Sequence, residues 1–331
     1  IEISQSFEFP TNYFLYGSKY SNNEESVKKE NLLSILNVTY KIKSAYHKLI
    51  WALDQQKIEH DNLSLAEEFL QKAGIRFNVG EGTNLELLTA KVQYTEALNN
   101  LEKQKNQILL ANAELNFAIG NPQDRLANYK PTGTLDFVEL EIDEQKLVND
   151  SFEKNPEILI SSLSVERASI EKSLAWSSLL PNLNLSYLKQ TLEGNNNYYG
   201  ASFGISIPVW FLFDQRGKIQ EASAGFNISE SELEQTRNRI LLNIKQAYTQ
   251  FLNEQKQVQL YRLNLLPQAE EVYTTANKSY EAGEITYIEF LQAKQLLTNS
   301  KSNYLKSLLD YHLAILELEL AAGFDIKEWS K

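Results

Sequence analysis

The sequence repeats itself at a constant offset of 203 residues. The identical pairs around one short segment are Gly80/Gly283, Glu81/Glu284, Thr83/Thr286, Glu86/Glu289 and Leu88/Leu291. The same offset relates Ala66-Glu67-Glu68 to Ala269-Glu270-Glu271, and Gly120 to Gly323. The offset stays the same from residue 66 to residue 120. Chance similarity between two helical segments would not be expected to keep one offset over this length. The repeat therefore predicts a duplicated supersecondary unit rather than one compact core.

Each repeat has the pattern of a strand, a long helix, a sharp turn and a second long helix. In the second repeat the first helix is predicted over about Gln215–Ala282, with a heptad seam of apolar residues. The seam comprises Leu233, Ile240, Ile244, Ala247, Phe251, Val258 and Leu265. Pro267 interrupts this helix and is expected to bend it, because an interior proline removes a backbone hydrogen bond. Ser64 occupies the matching place in the first repeat, so the two helices need not bend alike.

The turn between the two helices carries helix-end signals in both copies. Gly80 and Gly283 fit the left-handed backbone position that follows a helix end. Thr83 and Thr286 are predicted N-caps of the returning helices, and the glutamates three residues later complete a capping box. These glutamates are Glu86 and Glu289. The returning helices are expected to end at Gly120 and Gly323.

Between the hairpins, loop signals such as Asn121-Pro122-Gln123-Asp124 precede a small predicted helix over Glu141–Lys154. A further helix is predicted from Pro156 to about Leu180. Strict alternation predicts strands over 182–187, 202–207 and the chain start, with an exposed loop over Glu193–Gly200.

The apolar face of these strands fits two structures. It fits a half-buried sheet of a soluble protein, which the alternation alone favours, and it fits a barrel wall between lipid and water. Aromatic residues near the strand ends would suit a membrane interface. They are Tyr187, Tyr198, Tyr199, Trp210, Phe211 and Phe213.

Composition argues against several function classes. With 32 basic and 43 acidic residues the net charge is −11, which disfavours a nucleic-acid partner and suits a solvated surface or a cation-conducting lumen. There is no Cys, and His47, His60 and His312 share no ligand spacing, so each is expected on a helix face. No nucleophile–base pair or phosphate loop is visible. We expect no catalytic residue, no metal site and no cofactor.

No apolar run approaches the ~20 residues of a spanning helix, which leaves the strands as candidate membrane segments.

Taken in order, these motifs resemble the TolC-like outer-membrane efflux proteins. The resemblance covers about residues 1–323 and rests on duplicated and ordered signals. They are Arg76-Phe77 with Gly80 and Leu88-Thr89-Ala90, Tyr280 with Gly283 and Leu291-Gln292-Ala293, Asn155-Pro156-Glu157-Ile158, Leu180-Pro181-Asn182-Leu183, Ile207-Pro208, Leu266-Pro267-Gln268-Ala269-Glu270-Glu271 and Ala322-Gly323.

The resemblance implies a mainly α fold. Long antiparallel coiled-coil helix hairpins would form a tandem repeat, and β-strands would contribute to a trimeric outer-membrane barrel. We expect a first repeat over 1–120, a connector over 121–155 and a second repeat over 156–331. The second repeat contains a leading helix and strand that the first lacks. Since the chain also begins at Ile1 and contains no Met, it is expected to be a processed or truncated form, or a segment once joined to a larger pump polypeptide.

The resemblance also implies a passive exit duct of a tripartite efflux system or a type I secretion system. Implied partners are a periplasmic adaptor (membrane fusion protein), an inner-membrane pump, outer-membrane lipid and two further copies in a homotrimer. The implied location is the outer membrane of a Gram-negative bacterium, with a tunnel extending into the periplasm. The adaptor-contact tip would comprise Arg76, Gly80, Glu81, Thr83, Gly283, Glu284 and Thr286. Candidate gate carboxylates are Glu81, Glu86, Glu284 and Glu289, although Glu86 and Glu289 also suit a purely capping role.

One alternative stays open at this stage. A soluble periplasmic coiled-coil scaffold or adaptor-like interaction protein would explain the heptads, but not the alternating strands with aromatic ends. The cargo is not encoded in any visible motif. Heavy-metal cations are one candidate, since the resemblance extends to heavy-metal efflux members.

Overall fold

The structure is a computed structural model that describes residues 1–121, 127–192, 195–207 and 214–326. It is mainly helical, as the sequence predicts, with one small sheet. In chain order the elements are β1 (Glu2–Phe7), α1 (Pro10–Asn78), α2 (Asn84–Ile119), α3 (Glu144–Lys154), α4 (Pro156–Ser177), β2 (Asn182–Leu192), β3 (Asn195–Ser206), α5 (Asp214–Leu260), a π-helical segment (Tyr261–Leu265), α6 (Leu266–Glu281) and α7 (Tyr287–Ala322). Within the described ranges, none of these helices is both long and apolar enough to cross a membrane.

The chain divides into two compact units. One unit contains residues 1–35, 145–242 and 322–324, and therefore the sheet, α4 and part of α5. The other contains residues 36–144 and 243–321 together with the tail from Asp325. Each unit draws on both halves of the sequence, because the long helices contribute residues to both.

In the first unit, the start of α4 packs against the end of α7. Asn155 caps α4 by accepting a hydrogen bond from the Glu157 amide at 2.9 Å, and its own amide donates to the Ala322 carbonyl at 3.2 Å. Gly323 ends α7 with a φ of 87°. A Cβ at Gly323 would lie 2.8 Å from Pro156 Cδ, so both the backbone conformation and the close approach require glycine here.

The sheet is antiparallel, with β2 between β1 and β3. Ile3 pairs with Tyr187, Phe7 with Leu183, and Leu185 with Phe203, which places these side chains on one face of the sheet. The opposite face carries mostly small and polar residues, together with the larger Leu188 and Tyr198. The small and polar members are Ser4, Ser6, Asn184, Ser186, Ser202 and Gly204. The predicted alternation is therefore confirmed, and it is in register across all three strands.

The predicted loop over Glu193–Gly200 is wrong for most of its length. β2 continues to Leu192 and β3 already begins at Asn195. Asparagine is rare in strands, so local propensity favours a loop here, but pairing with β2 overrides that propensity. Residues 193–194 lie outside the described part of the chain. So do Pro208 and three of the aromatic residues considered above, Trp210, Phe211 and Phe213.

The heptad seam of α5 is largely confirmed. Ile240, Ile244, Phe251 and Val258 are buried, while Leu233 and Ala247 are half-buried. Leu265 was predicted to continue the seam, but it is 45% exposed, whereas its neighbour Leu266 is half-buried and Ala269 is buried. After Val258, the buried face of the helix therefore lies one residue later than the heptad spacing predicts.

The π-helical segment explains this shift. Leu266 N–H donates to the Tyr261 carbonyl five residues earlier instead of four, so one extra residue is accommodated in the turn before Pro267. A proline ring clashes with the carbonyl four residues before it and cannot donate to it, and the wider turn relieves both problems. The helix of the second repeat thus contains a π-helical turn next to Pro267, where the sequence predicts a bend, whereas α1 continues unbroken past Ser64.

An extended connector follows α2 and is held by side chains. Tyr311 donates to the Val138 carbonyl at 2.6 Å, and Tyr248 donates to the Ile142 carbonyl at 3.0 Å. The following helix α3 begins at Glu144, three residues later than predicted. In the loop predicted to begin at Asn121, residues 122–126 lie outside the described ranges.

Two of the three histidines come together although they are far apart in the sequence. The rings of His47 on α1 and His312 on α7 stack with centroids 4.9 Å apart, and His312 Nε2 lies 3.0 Å from the Asp136 carbonyl oxygen. Both residues lie on helix faces, as the sequence predicts, but the contact between them depends on the tertiary packing of α1 on α7 and was not predicted.

Candidate functional site

The two hairpin turns share the same backbone geometry. In the first turn Gly80 has a φ of 82°, and the amides of Glu81 and Gly82 both donate to the Arg76 carbonyl at 2.9 Å. In the second turn Gly283 has a φ of 74°, and the Glu284 amide donates to the Ser279 carbonyl at 2.9 Å. Both glycines occupy the left-handed position predicted from the sequence, which closes each helix by satisfying its last carbonyl groups.

The N-caps of the returning helices are also as predicted. Thr83 accepts a hydrogen bond from the Glu86 amide at 3.1 Å, and Thr286 accepts one from the Glu289 amide at 3.3 Å. In the second turn the Glu289 carboxylate also accepts from the Thr286 amide at 2.7 Å, which completes the capping box. This backbone hydrogen bond, together with the bond from the Thr286 hydroxyl, lowers the pKa of Glu289.

The first turn differs in its carboxylate. Glu86 does not return to the Thr83 amide in the described hydrogen bonds; its carboxylate lies 3.3 Å from Arg76 Nη1 instead. The capping box predicted at Glu86 is therefore only half formed, because an arginine of the preceding helix competes for the carboxylate. Ser279 replaces Arg76 in the second repeat and donates its hydroxyl to Glu284 at 3.1 Å. The sequence difference between the tips thus has a structural consequence.

The four candidate gate carboxylates consequently differ in their surroundings. Glu86 is paired with Arg76, Glu289 caps α7, and Glu284 accepts from Ser279. Glu81 is exposed, and no side-chain hydrogen bond or ion pair joins it to another described residue. Arg76 Nη1 also lies 3.5 Å from the Tyr280 hydroxyl, a contact that links the two hairpins.

An aromatic cluster beside the turns was missed by the sequence analysis. Phe69 of α1 packs against Phe290 of α7 with ring centroids 4.7 Å apart, and Tyr280 of α6 lies 5.2 Å from Phe290. Tyr273 and Tyr287 complete the cluster, and burial raises the pKa of Tyr287 to about 12. The available signal was the heptad spacing of Tyr273 and Tyr280 on α6, which places both on one helix face.

The surfaces of the two turns also differ. Ile75, Val79 and Leu85 of the first turn are 64%, 65% and 67% exposed, whereas Lys278 and Ala282 occupy the repeat positions of Ile75 and Val79. Exposed apolar groups that cluster on a surface indicate a contact site. Beside the second turn, a groove of about 780 Å³ lies between α6 and α7. Its lining includes Glu271, Val272, Ser279, Ile285, Glu289 and Leu296.

A match to a protein-family model identifies the class of protein to which the chain belongs. The family model for "Outer membrane efflux protein" matches residues 147–324, which is more than half of the chain. The chain belongs to this family. As an outer membrane efflux protein it resides in the outer membrane, with a tunnel in the periplasm, and the exposed apolar face of its sheet suits that location.

Relatives and solved structures agree with this assignment. The efflux protein is 22% identical to the cobalt-zinc-cadmium resistance protein CzcC of Cupriavidus metallidurans over 280 residues, covering 84% of this chain and 66% of CzcC. It is 20% identical over 226 residues to the outer membrane efflux protein BepC of Brucella suis, covering 65% of this chain and 47% of BepC. It thus spans less than two thirds of either relative.

The fold is shared with solved outer-membrane channels. The channel OprN superposes with a TM-score of 0.83 at 14% identity, covering 97% of this chain and 74% of OprN. The outer membrane protein VceC of Vibrio cholerae gives 0.81 at 18% identity, covering 98% and 78%. The CmeC channel of Campylobacter jejuni gives 0.78 at 17% identity, covering 100% and 74%.

The family is one of efflux channels and not of enzymes. Within the described part of the chain, no three His, Cys, Asp or Glu side chains are grouped so that they could hold a metal ion. Two surfaces of this efflux protein are candidate sites: the hairpin turns and the exposed apolar face of the sheet.

Proposed function

We propose that this efflux protein is one protomer of a homotrimeric, passive exit duct. The duct would serve a tripartite efflux system or a type I secretion system. The observation that carries the proposal is the sheet, whose apolar face is exposed, while its other face is mostly small and polar with Leu188 and Tyr198 as exceptions. This is the pattern of a barrel wall between lipid and a polar interior.

The edges of the sheet support assembly with other copies. β1 and β3 lie at the two edges of the three-stranded sheet. Open edges are not viable in lipid, because their amide and carbonyl groups would be unsatisfied. We propose that strands of further copies pair with these edges in a shared barrel.

We further propose that the turns form the tip that meets the periplasmic adaptor and approaches the inner-membrane pump. The contact residues would be Arg76, Gly80, Glu81, Thr83, Gly283, Glu284 and Thr286. The exposed apolar side chains Ile75, Val79 and Leu85 support this role, because a partner that covers them gains free energy from their burial. The tandem repeats, 1–120 and 156–331, would each supply one turn, and the connector 121–155 would join them.

Within this tip we propose Glu81, Glu86, Glu284 and Glu289 as gate carboxylates. Glu81 and Glu284 are the stronger candidates, because Glu86 is paired with Arg76 and Glu289 caps α7. An acidic constriction attracts cations. The net charge of −11 also favours a positively charged cargo. Because CzcC is named for cobalt, zinc and cadmium resistance, divalent metal cations are the cargo that we propose to test first.

A deletion strain of the native host provides the test. Removal of the gene should increase sensitivity to Co²⁺, Zn²⁺ or Cd²⁺, and plasmid-borne wild type should restore resistance. Strains that carry Glu81→Lys with Glu284→Lys should express the protein in the outer membrane at the wild-type level but remain sensitive. Unchanged metal tolerance in the deletion strain would exclude metal cargo. Full resistance in the double variant would exclude the gate assignment.

A further inference from the structure

A cavity of about 370 Å³ lies beside the helices α1, α6 and α7, next to the aromatic cluster, with which it shares Tyr273. Its lining includes the apolar side chains Ile58, Leu65 and Leu297 and the polar residues Asp61, Tyr273 and Lys294. Small-molecule sites have volumes of about 300–1,000 Å³ and are mostly apolar with a few placed polar groups. This cavity falls within that size range and combines apolar walls with several polar side chains.

Lys294 is the unusual residue of this cavity. Its side chain is only 7% exposed, and its ammonium has a single weak hydrogen bond, to the Asn62 carbonyl at 3.5 Å. No described carboxylate lies within ion-pair distance of it. A buried ammonium normally carries a partner, because removal of a charge from water is costly. Burial accordingly lowers the pKa of Lys294 to about 8.

The other charged and titratable groups around the cavity do not neutralise Lys294. Asp61 of α1 is exposed, Lys301 of α7 adds a second positive charge, and burial raises the pKa of Tyr273 on α6. Glu68 and Glu281 act on Tyr273, and neither forms an ion pair with Lys294. The repeat-equivalent of Lys294 is Lys91, which is exposed in the ordinary way of a helix-face lysine. The burial of Lys294 is thus a property of this site and not of the repeat.

We propose that this cavity binds a small carboxylate with an apolar tail. The carboxylate accepts hydrogen bonds from the Lys294 ammonium, which has donors to spare, and the tail packs against Ile58, Leu65 and Leu297. The site does not include the hairpin turns proposed above as the gate. Its occupant would contact α1 and α7 together and so stabilise their packing.

The probe for this site is 4-phenylbutyrate, and the matched control ligand is 4-phenylbutan-1-ol, which lacks the carboxylate. The native assembled protein in mild detergent is treated with limiting acetic anhydride, and acetylation of each lysine is measured by mass spectrometry. We expect 4-phenylbutyrate to slow acetylation of Lys294 at least threefold and to leave Lys91 unchanged. The alcohol should affect neither lysine.

The variant Lys294→Met provides the second arm, with Lys91→Met as its control. Methionine fills the same space without a charge, so both variants should fold. 4-Phenylbutyrate should raise the thermal midpoint of wild type and Lys91→Met but not of Lys294→Met, because a ligand stabilises only the state that binds it.

Three results would overturn the proposal. One is equal protection of Lys294 by the acid and the alcohol, which would indicate partition into the apolar walls alone. Another is an unchanged acetylation rate with the acid. The third is a Lys294 that reacts only after the assembly is dissociated, because a carboxylate from another copy would then be its partner.

Discussion

The guanidinium of Arg76 lies 3.3 Å from the carboxylate of Glu86, across the turn of the first hairpin. The second hairpin has no equivalent pair, because Ser279 stands in the place of Arg76 and Glu289 bonds to Thr286 instead. Two turns with the same backbone therefore present different charges. A duplicated hairpin has kept its turn geometry and changed its surface.

The variant Arg76→Ser would make the first turn resemble the second. Since Arg76 is exposed and surface ion pairs contribute only about 0–1 kcal/mol, the thermal midpoint should change little. Release of Glu86 should increase the cation selectivity of the channel, measured as a reversal-potential shift in planar bilayers. Lys105→Ser breaks the exposed Lys105–Glu102 pair on α2 and is the control. An equal reversal-potential shift in Arg76→Ser and Lys105→Ser would show that the effect does not depend on the position of Arg76 at the turn.

Charge reversal at the turns tests the gate carboxylates. Glu81→Lys and Glu284→Lys should each lower cation conductance and adaptor-dependent efflux, because they place positive charge where cations are proposed to pass. Glu96→Lys and Glu270→Lys change equally exposed glutamates on the flanking helices and are the controls. Wild-type conductance in assembled Glu81→Lys and Glu284→Lys would contradict the assignment.

The left-handed turn glycine predicts opposite effects for two neighbouring substitutions. Gly80→Ala should lower the free energy of unfolding by about 1 kcal/mol, because its φ of 82° strains any residue with a Cβ. Gly74→Ala lies within α1 with open space around it and should raise the free energy by about 0.5–1 kcal/mol. Denaturant titration of the two variants measures the difference. Equal effects would show that the turn is not formed as described.

The shifted seam after the π-helical segment is testable in the same way. Leu266→Ala should cost about 1–2 kcal/mol, since Leu266 is half-buried, and Leu265→Ala less than about 0.5 kcal/mol. An uninterrupted heptad predicts the reverse order. Chemical denaturation of both variants therefore distinguishes the π-helical turn from a regular helix.

The pH dependence of stability follows from Lys294. Burial lowers its pKa to about 8, whereas an unfolded lysine has a pKa of about 10.4. Between these values the unfolded chain binds more protons than the folded chain, so the free energy of unfolding should rise with pH. Lys294→Met should remove this rise and stabilise the protein below pH 8. A slope that persists in the variant would assign it to another group.

Local features of the fold were predictable from the sequence. The turn glycines and the threonine caps depend on residues a few positions apart, and all lie where predicted. The alternating strands were also recognisable, but their extent was not, because pairing with β2 carries β3 through asparagines that locally favour a loop. Boundaries fixed by tertiary pairing are not encoded in propensity.

Other features depended on contacts that the sequence does not reveal. The stacking of His47 on His312 and the packing of Phe69 on Phe290 join residues from different ends of the chain. The pairing of Arg76 with Glu86 was missed for another reason. The Glu86 carboxylate can bind either the Thr83 amide, as in a capping box, or the Arg76 guanidinium, and the sequence does not show which of the two it binds. The seam shift at Leu265 required knowledge that Pro267 is accommodated by a π turn.

The oligomeric mass of the native protein, extracted from outer membranes in mild detergent, tests the proposed duct most directly. We expect a complex with the mass of three copies, which migrates as a trimer on an unheated SDS gel and as a monomer after boiling. Strands that share one barrel resist detergent until they are heated, which is the physical reason for this behaviour. A monomer that remains in the aqueous fraction without detergent would contradict the proposal.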